Sequence, residues 1–443
     1  MPSPGNTPSF EEQEREPATT TASLSSKWLL AGAGAVLAPL RVWNFCMLFS
    51  GQMISTLGDS FYAVALPWLM LSSGRTPQEL GLVLAAYGVP RVATLLLGGT
   101  LSDRLRPRGV MLLADIARAI LTGILVLLVL GGYTNVWQLS LVAVPLGAVT
   151  GLFLPAYYAM LPEVLPHEQL QAGNALNSSS IQLAIFLGSA LAGVVVSRFQ
   201  PVTALTIDAL SFAVSAATLA AIRLKPRPTA DVESENVEEE AAQHGAFAPD
   251  ISFWQLLRTW RLFQVAFLIV IFGNLTFSGM FEVALPVLTR EQFAAGASGY
   301  GLVVAAFGAG SLLGGLIAGM LGGVSHRGRL MVALILALSC WFTLVPYIGG
   351  ITGAALLIGS AGLTNGILTV IAFTVLQQQS PRRLLGRVMA VLMVASLGLY
   401  PFSVALAGFI STHLGPTILF PLSGAMMLIA GLFGLSQKEI RQL

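Results

Sequence analysis

Long apolar runs, separated by short clusters of charged residues, glycine and proline, fill the chain from Arg41 onwards. Several of these runs exceed the roughly 20 residues that an α-helix needs to cross the hydrocarbon core of a bilayer. Strict alternation of apolar and polar positions, which is typical of transmembrane β-strands, is nearly absent from the sequence. The pattern therefore predicts an all-α integral membrane protein in which helices make every crossing.

Cuts at the charge clusters and at Gly/Pro turns predict twelve transmembrane helices in two six-helix bundles. The first six lie near 42–72, 80–100, 109–131, 138–160, 172–197 and 202–223, and the second six near 262–289, 300–322, 330–349, 353–377, 388–411 and 416–436. The predicted organisation is a cytoplasmic N-terminal tail with an interfacial stretch (1–40), a first bundle (41–223), a cytoplasmic linker (224–261), a second bundle (262–437) and a cytoplasmic tail (438–443).

Composition supports a lipid environment for most of the chain. Only 10% of the residues are charged and 55% are hydrophobic, whereas a soluble domain carries roughly 25% charged residues. The net charge of +2 does not indicate nucleic-acid binding, because topology places Lys and Arg in a membrane protein. Cys46 and Cys340 lie far apart within apolar runs, which disfavours a disulfide framework or a thiolate metal site.

Residue types that enzymes and cofactor proteins need at membrane depth are missing from the predicted spans. His167, His244, His326 and His413 all fall in loops, so the sequence predicts no haem ligand, no metal site and no other cofactor. A phosphate-binding GxxxxGK[ST] loop is also absent. The chain is therefore expected to be neither an enzyme nor an ATP-driven pump.

The distribution of basic residues predicts the orientation in the membrane. Of the 23 Lys and Arg residues, Arg91 and Arg118 lie within spans, and Arg75, Arg198 and Arg290 fall on one side. The remaining 18 (23 − 2 − 3) fall on the other side. Because cytoplasmic loops carry the excess of Lys and Arg, both termini are expected in the cytoplasm.

The two halves of the sequence are related by a repeat. Residues 81–88 (GLVLAAYG) match 301–308 (GLVVAAFG) with six of eight positions identical, and 64–67 recur as 283–286. At a shift of 215, Gly147, Gly151, Pro166, Gly193 and Pro201 fall on Gly362, Gly366, Pro381, Gly408 and Pro416. Parallel six-helix repeats place a substrate site near mid-membrane between the halves, and rocking of one half against the other gives alternating access.

The loop after the second predicted helix, GTLSDRLRPR (99–108), resembles the signature loop of the major facilitator superfamily. This resemblance assigns a cytoplasmic gate to Gly99, Asp103, Arg104 and Arg108, which would latch the two halves together. The sequence departs from the family pattern at 106–107, where Arg and Pro replace the usual Gly and Arg. The second-half counterpart has Gly323 where Asp103 stands, so one strong and one weak latch are expected.

Other segments are similar to the exporter branch of that superfamily, which contains macrolide-efflux and enterobactin-export proteins. These segments include 51–52, 55–59, 65–68, 90–91, 155–156, 161–163, 174–177 and 209–212. In the fifth predicted helix, GSALAG (188–193) looks like the antiporter motif of family exporters, with Ser189 at the expected proline. Gly188 and Gly193 are therefore expected to form a helix-packing pivot, although small residues at this spacing are also ordinary packing residues.

Ionisable residues within the predicted spans are candidates for proton coupling, because each needs a partner or water inside a membrane. Asp59 is the first candidate, since it lies midway along a helix that lines the cavity in the family. Glu282 is the second candidate, as a site for a proton or a cationic substrate, and Arg91 is the expected partner of Asp59. Either carboxylate could instead form a permanent, stabilising ion pair. The remaining three, Asp115, Arg118 and Asp208, are expected to be structural.

Polar and aromatic side chains in several predicted spans are candidates for the substrate cavity. They are Phe61, Tyr157, Asn177, Gln182, Asn274, Phe281 and Asn365. The residue types fit helix–helix packing and hydrogen bonding equally well.

The resemblance and the paucity of charges within the spans together favour a monomeric transporter in the plasma (inner) membrane. Its expected function is proton-coupled efflux of an amphipathic small molecule such as a drug, a macrolide or a siderophore, and thus a role in drug resistance. The alternatives are a proton-coupled importer of a small nutrient and a non-transporting membrane subunit. The expected partners are the substrate, protons and the lipid bilayer.

Overall fold

A computed structural model describes residues 37–104, 106–224, 261–320, 326–379, 392 and 394–438. Within these ranges, the side chains of 96–104, 261–262 and 265–266 are outside the description. Most of the predicted N-terminal tail, nearly all of the predicted linker and the last five residues also lie outside the described residues.

The first half of the chain forms six membrane crossings. They are α1 (Trp43–Ser72), α2 (Pro77–Arg104), α3 (Pro107–Leu130), α4 (Val136–Val164), and α5 (170–199) and α6 (201–221), which together make up the helix Leu170–Ala221. Short 3-10 turns at Ala38–Arg41 and His167–Gln169 precede α1 and α5.

The second half forms six further crossings. They are α7 (Arg261–Gly279, a π-helical turn Met280–Ala284, and Leu285–Glu291), α8 (Gly296–Met320), α9 (Arg327–Leu344), α10 (Ile351–Gln379), α11 (Tyr400–Leu414) and α12 (Leu419–Ser436). Residues 394–398 are also helical and lead into α11.

A sharp break at Gln200 separates α5 from α6. Gln200 has φ 70° and ψ 159°, and Pro201 follows it. Ten described helices are long and apolar enough to cross a membrane, and the one that covers His167–Ala221 has 55 residues. That helix makes two crossings, so the ten helices make eleven. The 28-residue α2, which is not among the ten, is the twelfth, and the described residues therefore contain the twelve predicted transmembrane helices.

The two bundles have the same internal packing. In the first, α1 packs on the α5–α6 helix, α2 on α4, and α3 on α4 and the α5–α6 helix. The second repeats this arrangement, with α8 on α10, α9 on α10 and α12, and α7 on α11 and α12. Matching glycines allow the close contacts: a Cβ on Gly147 would lie 1.9 Å from the carbonyl oxygen of Tyr87, and one on Gly362 would lie 2.2 Å from that of Phe307.

The most extensive contacts between the bundles, among the described residues, are the crossings of α2 with α11 and of α5 with α8. We call the membrane face where α1 begins and α12 ends the terminal face, and the opposite face the distal face. Near the distal face a Cβ on Gly81 would lie 3.1 Å from the Cα of Gly408, and one on Gly301 would lie 2.7 Å from the Cα of Gly193. Arg290, at the end of α7, donates a hydrogen bond to the carbonyl oxygen of Leu71 at the end of α1. The bundles are therefore closed against each other at the distal face.

Candidate transport site

A cavity lies between the bundles where α2 and α4 approach α11. Its lining combines one cation and one phenol with apolar and small residues. The lining residues are Gly88, Arg91, Val92, Leu95, Thr150, Gly151, Leu154, Leu397 and Tyr400. An apolar wall with a few polar groups is typical of sites for small amphipathic ligands.

Arg91 links the charges of the two bundles. The guanidinium carbon lies 5.7 Å from the centre of the Tyr87 ring. Arg91 interacts electrostatically with Asp59 on α1 and with Glu282 on α7. Neither interaction is a direct ion pair among the described residues. A cation in the cavity is therefore shared between carboxylates that belong to opposite halves.

Asp59 lies midway along α1 with an exposed side chain, whereas its neighbours Gly58 and Ser60 are buried. No other described residue forms a hydrogen bond or an ion pair with its carboxylate. Two cations, Arg118 and Arg91, act on it electrostatically, and so do the carboxylates of Asp115 and Asp208. Arg91, the expected partner, thus acts on Asp59 at a distance, and the carboxylate is left without a direct partner among the described residues.

Glu282 lies in the π-helical turn of α7. Pro286 has no N–H to offer the carbonyl group of Glu282 four residues earlier, which favours a local departure from α-helical bonding. The hydroxyl of Tyr400 on α11 donates a hydrogen bond of 2.5 Å to Glu282 Oε2. Tyr400 also lines the cavity, so this bond connects the carboxylate to the space between the bundles.

The other ionisable residues of the first bundle form a buried group away from the cavity. Arg118 forms an ion pair with Asp115, as their spacing on α3 allows. Asp115 Oδ2 accepts a 2.6 Å hydrogen bond from Ser215 on α6, and the Arg118 guanidinium lies 4.1 Å from the Phe153 ring centre. Asp208 on α6 is only 1% exposed.

The predicted substrate-cavity residues occupy several different surroundings. Phe61 and Phe281 are buried in the core that spans the bundles, and Phe281 stacks on Phe277 with ring centres 4.4 Å apart. Asn274 Nδ2 donates to the carbonyl oxygen of Val270 at 2.9 Å. The polar atoms of three others, Tyr157 Oη, Asn177 Oδ1 and Gln182 Oε1, are buried and have no partner among the described residues. The last of the seven, Asn365, is half-buried, and all seven assignments stay predictions.

The predicted gate lies at the end of α2. The backbones of Gly99, Asp103 and Arg104 are helical, and their side chains lie outside the described residues. Arg108 donates from Nε to the carbonyl oxygen of Leu219 at 2.9 Å and from Nη2 to that of Ala220 at 2.8 Å. Its described contacts therefore hold the end of α6 within the first bundle.

The predicted pivot residues contact different partners. Gly193 packs on α8 of the opposite bundle, whereas a Cβ on Gly188 would lie 2.6 Å from the Cβ of Ser60 on α1. Gly193 is thus an inter-bundle contact and Gly188 is a contact within the first bundle.

Several residues of the site and its closure were missed at the sequence level. Tyr400, which binds Glu282, is one of many aromatic residues in apolar spans, and no motif distinguishes it. Arg290 and Leu71 form a side chain to backbone contact, which residue type does not predict. The pairing of Gly81 with Gly408 had a signal, because both glycines belong to the blocks that define the repeat.

Comparison with known proteins places this architecture in a family. The family model described as Major Facilitator Superfamily matches residues 48–395. The chain belongs to the major facilitator superfamily. Members of this family are multi-pass membrane transporters that bind small-molecule substrates, not enzymes, so the chain is a secondary transporter. This confirms the expectation drawn from the loop at 99–108 and from the repeat.

Similar curated proteins include transporters described as drug pumps. The multidrug efflux pump Tap of Mycobacterium tuberculosis is 24% identical over 410 residues, which cover 90% of this chain and 94% of that protein. Tap of Mycolicibacterium fortuitum is 23% identical over 415 residues (91% and 97%). The uncharacterized MFS-type transporter YfiS of Bacillus subtilis is 24% identical over 414 residues (89% and 93%).

Solved transporter structures share the fold at low sequence identity. A D-xylose–proton symporter superposes with a TM-score of 0.68 at 13% identity, covering 91% of this chain and 98% of that one. The inward-open conformation of the xylose transporter XylE from E. coli gives a TM-score of 0.65 at 13% identity (90% and 96%). These matches confirm the predicted fold class of twelve helices in two pseudo-symmetric bundles.

Proposed function

We propose that this transporter is a proton-coupled exporter of an amphipathic small molecule, such as a drug, a macrolide or a siderophore. The distant similarity to pumps named for multidrug efflux supports the direction and the substrate class. The lining of the cavity, in which Arg91 and Tyr400 are set among apolar residues, matches the chemistry of a ligand with apolar surface and few polar groups.

The position of Arg91 between carboxylates of both bundles carries the proposal. Asp59 on α1 and Glu282 on α7 both attract the guanidinium of Arg91, which lines the cavity. Protonation of Asp59 removes its attraction for Arg91 and leaves Glu282 as the remaining anionic partner. Because the carboxylates belong to different bundles, that change alters the force between the bundles and biases their rocking.

The closed distal face supports an inward-facing assignment. In the proposed orientation the terminal face is cytoplasmic, so this conformation would receive substrate from the cytoplasm. Asp103, Arg104 and Arg108 would then latch the cytoplasmic ends of the bundles when the protein faces outward. Asp103→Asn should therefore increase the population of the inward-facing state.

Flux in proteoliposomes tests the proposal. The purified chain is reconstituted with a pH-sensitive dye inside, and ethidium, a macrolide and a siderophore are supplied in turn. The expected result is saturable substrate movement that is driven by an imposed proton gradient, with protons moving down that gradient and substrate moving in the opposite direction. Movement of substrate and protons in the same direction would indicate the nutrient importer. Export would be contradicted if no probe showed saturable flux in liposomes and if expression of the chain in an efflux-deficient host left its susceptibility to these compounds unchanged.

A further inference from the structure

Asp208 on α6 is a buried carboxylate that neither the cavity nor the predicted gate uses. Its side chain is 1% exposed. Gly58 of α1 packs directly on it, since a Cβ on Gly58 would lie 2.9 Å from Asp208 Oδ1 and 2.0 Å from Ser211 Oγ. Oδ1 is buried and has no hydrogen-bond partner in the described part of the chain. Asp208 therefore contacts α1 at Gly58, the residue that precedes Asp59.

The charged and titratable groups around Asp208 offer it little compensation. From α1, Asp59 and Tyr62 interact with it, and from α3, Arg118 does so. Arg118 is already engaged by Asp115 in an ion pair. Two aromatic rings also hold the guanidinium group, because those of Phe153 and Phe212 have centres 4.1 and 4.5 Å from it. Arg118, the cation that acts on Asp208 among the described residues, is thus shared, and the carboxylate of Asp59 repels a second negative charge.

A buried hydroxyl occupies the same depth in the bundle as Asp208. The hydrogen bond between Ser215 and Asp115 fixes the register of the antiparallel helices α6 and α3. Asp208 precedes Ser215 by seven residues and Thr122 follows Asp115 by seven, so both lie about 10 Å from that contact towards the distal face. Thr122 is 0% exposed, and its Oγ1 likewise has no partner among the described residues.

A protonated carboxyl fits this environment better than an ionised one. Burial of an ionised carboxylate without full hydrogen bonding is far more costly than burial of the neutral acid, and such groups take up a proton instead. The neutral acid also carries no charge and has a hydroxyl group that can donate a hydrogen bond. One open oxygen atom suits a proton, whereas a metal cation needs several oxygen ligands.

We propose that Asp208 is a second proton-binding site of this transporter, which holds a proton in this conformation and is coupled to Asp59 across Gly58. Two interacting carboxyls release and take up their protons as a pair. The proton on Asp208 allows Asp59 to ionise without an adjacent negative charge. The role in coupling rests on the proposed function, whereas the occupancy of Asp208 by a proton does not.

Infrared spectroscopy of the purified protein tests the occupancy without substrate or gradient. The expected result is that Asp208→Asn loses the carbonyl band of a protonated carboxyl, whereas the matched control Asp115→Asn retains it, because Asp115 is ionised in its pair with Arg118. Retention of the whole band in Asp208→Asn would overturn the proposal. In Asp59→Asn the Asp208 band should persist at a shifted frequency.

Thermal unfolding of the same variants gives an independent answer. Asn is the neutral isostere of a protonated Asp, so Asp208→Asn should fold and melt close to the wild type, whereas Asp115→Asn should melt several degrees lower. An Asp208→Asn protein that fails to fold would show that the charge is needed and would overturn the proposal. So would a melting temperature that rises in Na⁺ but not in K⁺ and loses this response in Asp208→Asn. Failure of efflux leaves these readouts unchanged, which separates the two proposals.

Discussion

Gly193 of α5 packs on Gly301 of α8 in the same way that Gly408 of α11 packs on Gly81 of α2. A Cβ on Gly301 would lie 2.7 Å from the Cα of Gly193, and a Cβ on Gly408 would lie 3.1 Å from the Cα of Gly81. Gly81 matches Gly301 at a shift of 220, and Gly193 matches Gly408 at a shift of 215. The two crossings that close the distal face are therefore copies of one contact, related by the repeat.

Substitution of Gly301 tests this closure. In Gly301→Ala the new methyl group would meet backbone atoms, at 2.5 Å from the Ser189 carbonyl oxygen, so α5 and α8 must separate. Such overpacking costs about 1–3 kcal/mol, and we expect the distal loops 73–76 and 292–295 to move apart in spin-label distance measurements. The matched control is Gly315→Ala on the same helix, where nothing lies within 4 Å of the new Cβ. Equal distances in the two variants would contradict the role of Gly301.

Loss of the hydrogen bond between Arg290 and Leu71 should also open the distal face. Arg290→Gln removes the charged donor on α7 that binds the Leu71 carbonyl group at the end of α1. Hydrogen bonds to charged groups contribute about 1.5–3 kcal/mol. The same spin-label distances should shift towards the open population. Arg198→Gln serves as the control, because Arg198 is exposed near the same face and makes no hydrogen bond or ion pair among the described residues. A closed face in Arg290→Gln would assign the closure to the glycine contacts alone.

Gln200 adopts a backbone conformation that is normally restricted to glycine. Its φ of 70° and ψ of 159° match the φ of 88° and ψ of 155° of Gly415, its equivalent in the repeat. Because this region costs a residue with a side chain about 1–3 kcal/mol, Gln200→Gly should raise the melting temperature by a few degrees. Gln437→Gly, at a φ of −86°, should give no such gain. A lower melting temperature for Gln200→Gly would contradict the strain.

Glu282 and Tyr400 should act on substrate affinity together. Glu282→Gln removes the anion that a cationic substrate would meet, so we expect KM for ethidium efflux to rise about tenfold, which corresponds to about 1.4 kcal/mol. Tyr400→Phe removes the 2.5 Å hydrogen bond and should raise KM less. Tyr347→Phe, at an exposed tyrosine, is the control. An unchanged KM in Glu282→Gln would remove Glu282 from the binding site.

Asp59→Asn should abolish proton-driven efflux while substrate binding stays measurable, because the amide cannot exchange a proton. Counterflow of substrate, which needs no proton gradient, should continue. Glu168→Gln, at an exposed position in the turn between α4 and α5, controls for the loss of a carboxylate. Active efflux at the wild-type rate in Asp59→Asn would exclude Asp59 from coupling.

The helices themselves could be predicted closely from the sequence. Apart from α11, whose predicted start at 388 lies outside the described residues, each observed crossing begins and ends within about five residues of the expected span. The bilayer requires a long apolar run, and charges, Gly and Pro interrupt it. The repeat also predicted which glycines correspond, since blocks such as 81–88 and 301–308 survive in both halves. The break at Gln200 was correctly placed between two spans by Pro201.

The arrangement of the charges could not be predicted in the same way. The position of Asp59 along α1 did not show that Arg91 interacts with it at a distance and forms no ion pair. The environment of Asp208 depends on its contact with Gly58. The sequence shows a glycine in a helix but does not predict which residue of another helix packs against it. The equivalents of Asp59 and Arg91 in the second half are Ser278 and Ser311, so the repeat offered no second copy of these charges for comparison.

The turn at Gln200 has a mechanical consequence. With only this residue between them, α5 and α6 are joined without a loop, so a displacement of one helix at this end is passed on to the other. If α5 moves relative to α8 at Gly193, α6 moves with it, and Asp208 shifts relative to α1. The short connection at Gln200 would thus couple opening of the distal face to a movement inside the first bundle.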